Sequence, residues 1–180
     1  MLDVLFRIDQ VLLLRVATPA VHWIWRTFGM TQFLLAWWLL SLLPMSFGLS
    51  GAFAFSVGEY GFAILMGLES GWFFYRLWPL MRLYMFLHEE YLEDPADFEN
   101  PHDSLAVVSE RITQLLAFGV IVAFSFLFAF FAPSPYSLFF PLMCFGVTTL
   151  IASNYAAAVP LPPARKEKED VPADAELAGA

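Results

Sequence analysis

Long apolar stretches separated by short polar segments constrain this chain more than any other feature. Hydrophobic residues make up 59% of its 180 residues and charged residues only 14%, whereas an ordinary soluble domain is roughly one quarter charged. A soluble core of this size could not hide so much apolar surface, so the excess must face a solvent that is equally apolar. The sequence therefore predicts an all-α integral membrane protein.

Four stretches are long enough to cross the roughly 30 Å hydrocarbon core of a bilayer as helices. They cover about residues 23–43, 57–79, 112–132 and 137–159, with a kink predicted at Pro141 in the last of them. Together they form a predicted transmembrane domain over residues 19–160. The segments 44–55 and 132–136 are predicted to be outer loops. The alternative is a three-span arrangement in which the first hairpin is re-entrant.

Residues 1–18 are predicted to form an amphipathic helix that lies on the membrane surface. Charged side chains recur through this segment among apolar ones, which suits an interfacial helix better than a span. Asp9 and Arg15 nevertheless fall outside the polar arc of the helix. Thr18 and Pro19 are then expected to be the N-cap and the first residue of the next helix.

A start signal for the second span lies at the end of the first outer loop. Ser56 and Glu59 have the spacing of a capping box, and Phe55 and Tyr60 are placed to form its hydrophobic staple. The second span is therefore expected to begin near Val57.

The nine Lys and Arg residues predict the orientation, because short basic loops are retained in the cytoplasm. All nine lie on one side of the four-span arrangement: Arg7, Arg15 and Arg26 before the first span; Arg76, Arg82 and Arg111 at or between the second and third; Arg165, Lys166 and Lys168 after the fourth. Both termini and the acidic loop 88–110 are thus predicted to be cytoplasmic, with a bacterial inner membrane as the expected setting. Residues 161–180 are predicted to be a disordered tail, because they lack the apolar residues to form a core.

Glu69 is the leading candidate for a functional residue. It falls about midway along the second predicted span, where a charged side chain costs at least a few kcal/mol and so must be paired, protonated or functional. Arg76 follows seven residues later on the same helix face and is expected to share with it a polar stripe facing the bundle interior. The functional interpretation is a proton or cation site, or an ion pair with a partner subunit. The structural interpretation is a hydrogen-bonded carboxyl that fixes helix packing.

Ala63, Gly67 and Gly71 recur every four residues along the same span. This spacing predicts a groove of small residues in which another helix can approach closely. The approaching helix would belong to this bundle, to a second copy of the chain or to a partner protein.

Acidic residues gather between the second and third predicted spans. This acidic loop contains Glu89, Glu90, Glu93, Asp94, Asp97, Glu99 and Asp103. A solvated loop is the structural interpretation, and electrostatic docking of a basic partner is the functional interpretation. Glu99 and His102 match only a single ExxH with Pro101 inside it, and no HExxH or EF-hand spacing occurs, so no metal site is predicted.

Several classes of function are excluded. A net charge of −8 with scattered basic residues argues against nucleic acid, and without a Walker motif no nucleotide is expected. Cys144 is the only cysteine, so neither an intrachain disulfide nor a cysteine metal cage is possible. His22, beside Trp23, is interpreted as an interfacial anchor, and no cofactor is predicted.

The best-supported function is a non-catalytic component of a larger membrane protein complex: a subunit, assembly factor or scaffold. Its expected partners are membrane lipid and other integral membrane proteins, or further copies of itself. The alternative is a small oligomeric channel or ion-coupled transporter that uses Glu69. A second alternative is an intramembrane metalloenzyme with a site at the cytoplasmic face, built from His88, Glu89, Glu99 and His102.

Overall fold

The computed structural model describes residues 2–93, 108, 110–117, 119–120, 123 and 139–159. These residues are helical apart from short turns, and no strand occurs among them. The predicted all-α class is therefore confirmed for this part of the chain. The centre of the acidic loop, most of the third predicted span and the tail 161–180 lie outside the described residues.

The first three helical elements follow one another without a break. Helix α1 (Leu2–Val11) runs into a π-helical turn (Leu12–Ala17) and then into α2 (Thr18–Phe28). Thr18 is not an N-cap as expected: its hydroxyl donates to the carbonyl of Leu13 at 2.8 Å. Pro19 lies in the first turn of α2 as predicted. Because proline lacks an N–H and crowds the carbonyl four residues earlier, the wider π turn lets the chain continue as a helix.

Gly29 ends α2, and its left-handed backbone (φ 69°) would strain any other residue. Helix α3 covers Gln32–Ser56, and Thr31 is its N-cap: the Oγ1 of Thr31 accepts the N–H of Leu34 at 3.2 Å. The structure therefore differs from the predicted span 23–43, because the chain breaks at Gly29 and the helix continues to Ser56.

The predicted outer loop 44–55 is part of α3. Pro44 lies inside the helix, where it removes one hydrogen bond without ending the helix. Two serines of this segment bond to the helix backbone: Ser46 Oγ donates to Leu43 O at 2.7 Å and Ser50 Oγ to Ser46 O at 2.8 Å. Their polar groups are satisfied within α3, so they do not interrupt it.

A three-residue turn connects α3 to α4 (Tyr60–Glu93). The predicted capping box does not form, because Ser56 Oγ donates to Phe53 O at 2.7 Å and the Glu59 N–H donates to Ala54 O at 2.9 Å. Gly58, at φ 85°, reverses the chain in its place. The aromatic rings of Phe55 and Tyr60 do meet across the turn, with centroids 5.2 Å apart.

Residues 110–117 are helical and are called α5, and α6 covers Phe139–Ala157. Pro141 lies in the first turn of α6, where a proline needs no kink. Helix α3 packs against α4 on one side and α6 on the other. Phe33 and Leu40 of α3, Tyr84 of α4 and Ala157 of α6 are the centre of this core.

By length and composition, one helix in the described part of the chain could cross a membrane, namely α3 (Gln32–Ser56). Its most apolar stretch is 44% buried within the bundle. The four-span arrangement stays a prediction.

Gly146 of α6 provides a test of the packing against α3. A Cβ at this position would overlap Ser46 Oγ and lie 2.9 Å from Leu43 Cδ1. We expect Gly146→Ala to lower the free energy of unfolding by roughly 1–3 kcal/mol. Gly67→Ala is the control, because no described atom lies within 4 Å of its added methyl group; it should be neutral or stabilising by up to about 1 kcal/mol. Equal effects of the two substitutions on thermal unfolding would contradict the packing.

Candidate functional site

Glu69 lies in the first third of α4 at the edge of the bundle. Its side chain is partly exposed in a shallow hollow that it shares with Leu65, Leu68 and Trp72. Arg76, predicted to share an inward polar stripe with it, is exposed. Within the described part of the chain, no hydrogen bond or ion pair joins the side chain of either residue to another residue. The predicted inward stripe is therefore wrong for Arg76, and Glu69 borders the outer surface.

The small residues of α4 divide between two surroundings. A Cβ on Gly51 of α3 would lie 3.2 Å from the carbonyl oxygen of Ala63, so α3 and α4 approach closely there. Gly67 and Gly71 are exposed, and no described atom lies within 4 Å of the position of a Cβ on either. The docking of another helix along this face stays a prediction.

The described part of the acidic loop is the end of α4. Glu89, Glu90 and Glu93 are exposed there, beside the buried Tyr91. The remaining acidic residues of the prediction lie outside the described residues: Asp94, Asp97, Glu99 and Asp103.

Sequence reasoning did not predict the most buried charged group in the described part of the chain. Arg111 of α5 donates from Nε to Asp9 Oδ1 at 3.1 Å and from Nη2 to Asp9 Oδ2 at 3.0 Å. The hydroxyl of Tyr155 in α6 donates to Asp9 Oδ1 at 2.7 Å, and its ring lies 5.5 Å from the Arg111 guanidinium carbon. Asp9 and Arg111 are only 2% and 3% exposed. We call these three residues the Asp9 cluster.

The sequence carried one signal of the Asp9 cluster. Asp9 falls outside the polar arc of its own helix, which marks it as a charge on an apolar face. Such a charge requires a partner, but the partner lies 102 residues away along the chain. Helical periodicity identifies the misplaced carboxylate and does not identify Arg111.

A second set of polar contacts connects α4, α6 and α5. The hydroxyl of Tyr84 donates to Asn154 Oδ1 at 3.2 Å, and Asn154 Nδ2 donates to Gln114 Oε1 at 2.6 Å. Gln114 Nε2 then donates to Glu110 at 3.2 Å. Burial, with a smaller contribution from the Glu110 carboxylate, raises the pKa of Tyr84 and keeps its hydroxyl protonated. The three hydrogen bonds therefore run in one direction, from the Tyr84 hydroxyl to the Glu110 carboxylate.

The N-terminal end of α3 is joined to α4 and to the end of α6. Thr31 Oγ1 lies 2.8 Å from His88 Nδ1, and Gln32 Nε2 donates to Val159 O at 3.1 Å. Burial lowers the pKa of His88, although the neighbouring Glu89 opposes this shift. Neutral His88 can accept a hydrogen bond from the Thr31 hydroxyl, while the Thr31 oxygen accepts one from the N–H of Leu34.

An apolar cavity of about 470 Å³ lies next to the Asp9 cluster. Its walls come from the π-helical turn and from α2, α3, α5 and α6. They include Leu12, Val16, Ala20, Leu39, Leu115 and Ala152. Tyr155 belongs both to these walls and to the Asp9 cluster.

Several polar side chains in the described part of the chain join one helix to another. The Asp9 carboxylate accepts three hydrogen bonds from two other elements, which fixes its position. Among the described residues, no group of three or more His, Cys, Asp or Glu side chains is placed to hold a metal ion.

No protein-family model matches this chain, and no curated protein or solved structure is significantly similar to it.

The Asp9 cluster predicts strong non-additivity. Asp9→Leu or Arg111→Met should each lower the free energy of unfolding by about 3–5 kcal/mol, because each leaves one buried charge without its partner. The double variant should lose much less than the sum of the two single losses. Arg82→Met, at an exposed position of α4, is the control and should change stability by at most about 0.5 kcal/mol. Additive single effects in denaturant unfolding would show that the pair does not form.

His88 predicts a dependence of stability on pH. Because its folded-state pKa is lowered, its contribution is complete above the unfolded-state value of about 6.5. It is lost as the pH falls through the folded-state value. The melting temperature should therefore drop between pH 7 and pH 5, and by less in His88→Gln, which does not titrate. An unchanged difference between the two proteins over this pH range would sink the assignment.

Proposed function

We propose that this chain is an integral membrane protein that crosses the bilayer four times and acts as a non-catalytic component of a larger membrane complex. As a subunit, assembly factor or scaffold, it binds other membrane proteins through its outer apolar faces. Its termini lie on the cytoplasmic side of a bacterial inner membrane. The observation that carries the proposal is the outer face of α4.

Large apolar side chains cover the face of α4 that points away from the core. Ile64, Leu68 and Tyr75 are 65%, 68% and 77% exposed, and they recur at helical spacing. The opposite face of the same helix contributes the buried Met66 and Met81. Ahead of Arg76, α4 is apolar on both faces apart from Glu69, and this pattern is typical of a membrane span or of a helix covered by partner proteins.

Lengths and contacts support the four-span topology. At a rise of 1.5 Å per residue, α3 is about 37 Å long and α4 about 50 Å long, so each exceeds a hydrocarbon core of roughly 30 Å. Contacts of Thr31 with His88 and of Gln32 with Val159 bring the start of α3 to the ends of α4 and α6. The pair of Asp9 with Arg111 adds the N-terminal helix and α5 to this group.

This grouping agrees with the orientation proposed from the basic residues. A chain that enters at the start of α3 and returns at the end of α4 has completed one hairpin. The start of α5 and the end of α6 lie at the same side, as a second hairpin of the proposed topology requires. Each element therefore begins or ends at the side on which all the Lys and Arg residues are expected, which supports a cytoplasmic location for that side.

Glu69 supports binding to another protein. Its carboxylate borders an apolar surface formed by Leu65, Leu68 and Trp72. Facing hydrocarbon, an ionised carboxylate costs a few kcal/mol, and a hydrogen-bonding or basic group from another polypeptide removes much of this cost. The exposed Gly67 and Gly71 allow a helix from that polypeptide to approach α4 closely.

The channel alternative rests on the same residue. A carboxylate at the outer edge of one bundle would lie between neighbouring copies in an oligomer, where it could bind a proton or a cation. The metalloenzyme alternative draws no comparable support, since two of its four residues, Glu99 and His102, lie outside the described residues.

Site-specific photocrosslinking in native membranes tests the proposal. We expect a photoreactive residue at Leu68 to crosslink to a second, stoichiometric membrane protein, and the same probe at the buried Met66 to give crosslinks only within the chain. Glu69→Arg should abolish the Leu68 crosslink, whereas Glu59→Arg, in the turn before α4, should leave it intact. Crosslinks at Leu68 only between copies of this chain, together with proton flux that is lost in Glu69→Gln, would favour the channel.

A further inference from the structure

The apolar cavity beside the Asp9 cluster lies between two groups of elements: the π-helical turn and α2 on one side, and α3, α5 and α6 on the other. Its space of about 470 Å³ lies within the range of about 300–1,000 Å³ that is typical of small-molecule sites. An apolar cavity of about 150 Å³ is already sufficient to stay dry and bind a hydrocarbon. The size of the cavity therefore suits an organic ligand, and the polarity of the lining side chains determines which class of ligand it can bind.

Every lining side chain in the described part of the chain is apolar except two, and the hydroxyls of those two point to other partners. Thr148 Oγ1 donates to Cys144 O at 2.7 Å, and the Tyr155 hydroxyl donates to Asp9 Oδ1 at 2.7 Å. A buried water needs two to four polar partners, and a polar ligand would need donors or acceptors aimed into the space. The lining provides neither, so it selects a purely apolar occupant.

The cavity opens on one side between exposed residues. Val16, Ala20 and Thr148 are exposed and border the opening. The surface around it continues along the N-terminal elements, where Val11 and Leu14 are 49% and 59% exposed. In the proposed membrane setting this surface faces acyl chains, so the opening connects the cavity to lipid.

Two features keep the cavity from closing. The Asp9 cluster attaches α1 to α5 and α6 through three hydrogen bonds, so the wall cannot move inward without breaking a buried ion pair. The wall itself contains the π-helical turn Leu12–Ala17. Such turns are rare and are frequent at functional sites, and here the turn supplies Leu12 and Val16 to the cavity.

We propose that the cavity binds one acyl chain of a membrane lipid, held between the N-terminal surface helix and the transmembrane bundle. This inference rests on the proposed membrane location and goes beyond it. A single chain enters between Val16 and Thr148 and lies against Leu39 and Ile151. The lipid thereby joins the N-terminal helix to the spans as a structural component of the fold.

Photolabelling of the full chain tests this inference. The protein is reconstituted in phosphatidylcholine vesicles that contain a phospholipid with a diazirine on one acyl chain, and labelled residues are mapped by mass spectrometry after irradiation. We expect label at the partly buried Leu39 and Ile151 as well as at the outer-face residue Leu68. In Ala152→Phe, the added ring fills the cavity and the label at Leu39 and Ile151 should be lost, while the label at Leu68 persists.

Two further variants complete the test. Ala20→Phe blocks the opening from the opposite wall and should give the same loss, which guards against a folding defect specific to Ala152→Phe. Ala52→Phe, at an exposed position of α3 outside the cavity, is the matched control and should retain all labels. Label at Leu68 without label in the cavity, or cavity label that survives both Ala152→Phe and Ala20→Phe, would overturn the lipid site alone. Absence of label at Leu68 as well would overturn the membrane location.

Discussion

The buried ion pair between Asp9 and Arg111 determines where the N-terminal helix lies. Removing two charges from water is costly, and only a bidentate geometry with further hydrogen bonds offsets the loss of hydration. The structure meets this requirement with two bonds from Arg111 and a third from Tyr155. Because these residues come from three separate elements, α1 can satisfy Asp9 only in this position. The wall of the apolar cavity follows from that placement.

The other described polar contacts fix how the long helices are aligned. Thr31 meets His88, Gln32 meets Val159, and Tyr84 meets Asn154, so α3, α4 and α6 are joined near one end. Apolar packing has little directional preference. A few hydrogen bonds of defined geometry therefore set the register of the bundle. At the other end, the short turn after Ser56 connects α3 directly to α4.

The centre of the bundle depends on α3, which packs against both α4 and α6. Close approach needs small residues on this helix: Gly51 meets the backbone of α4 at Ala63, and Ser46 meets Gly146 of α6. These contacts leave the opposite face of α4 uncovered by described residues, with Glu69 at its edge. The proposed docking face combines large exposed apolar residues, such as Ile64 and Leu68, with the exposed Gly67 and Gly71.

The sequence by itself determined the all-α class of the described residues, the position of Pro19 in a first turn and the contact of Phe55 with Tyr60. Each of these depends on composition or on neighbours within a few residues. It failed over residues 44–55, predicted to be an outer loop, since the surrounding packing that sustains α3 across Pro44 is not local. The tertiary structure alone decided that Asp9 pairs with Arg111, and that Tyr155 completes the cluster. Helical periodicity shows that a charge lies on an apolar face, but the choice of its partner across 102 residues depends on how the helices pack.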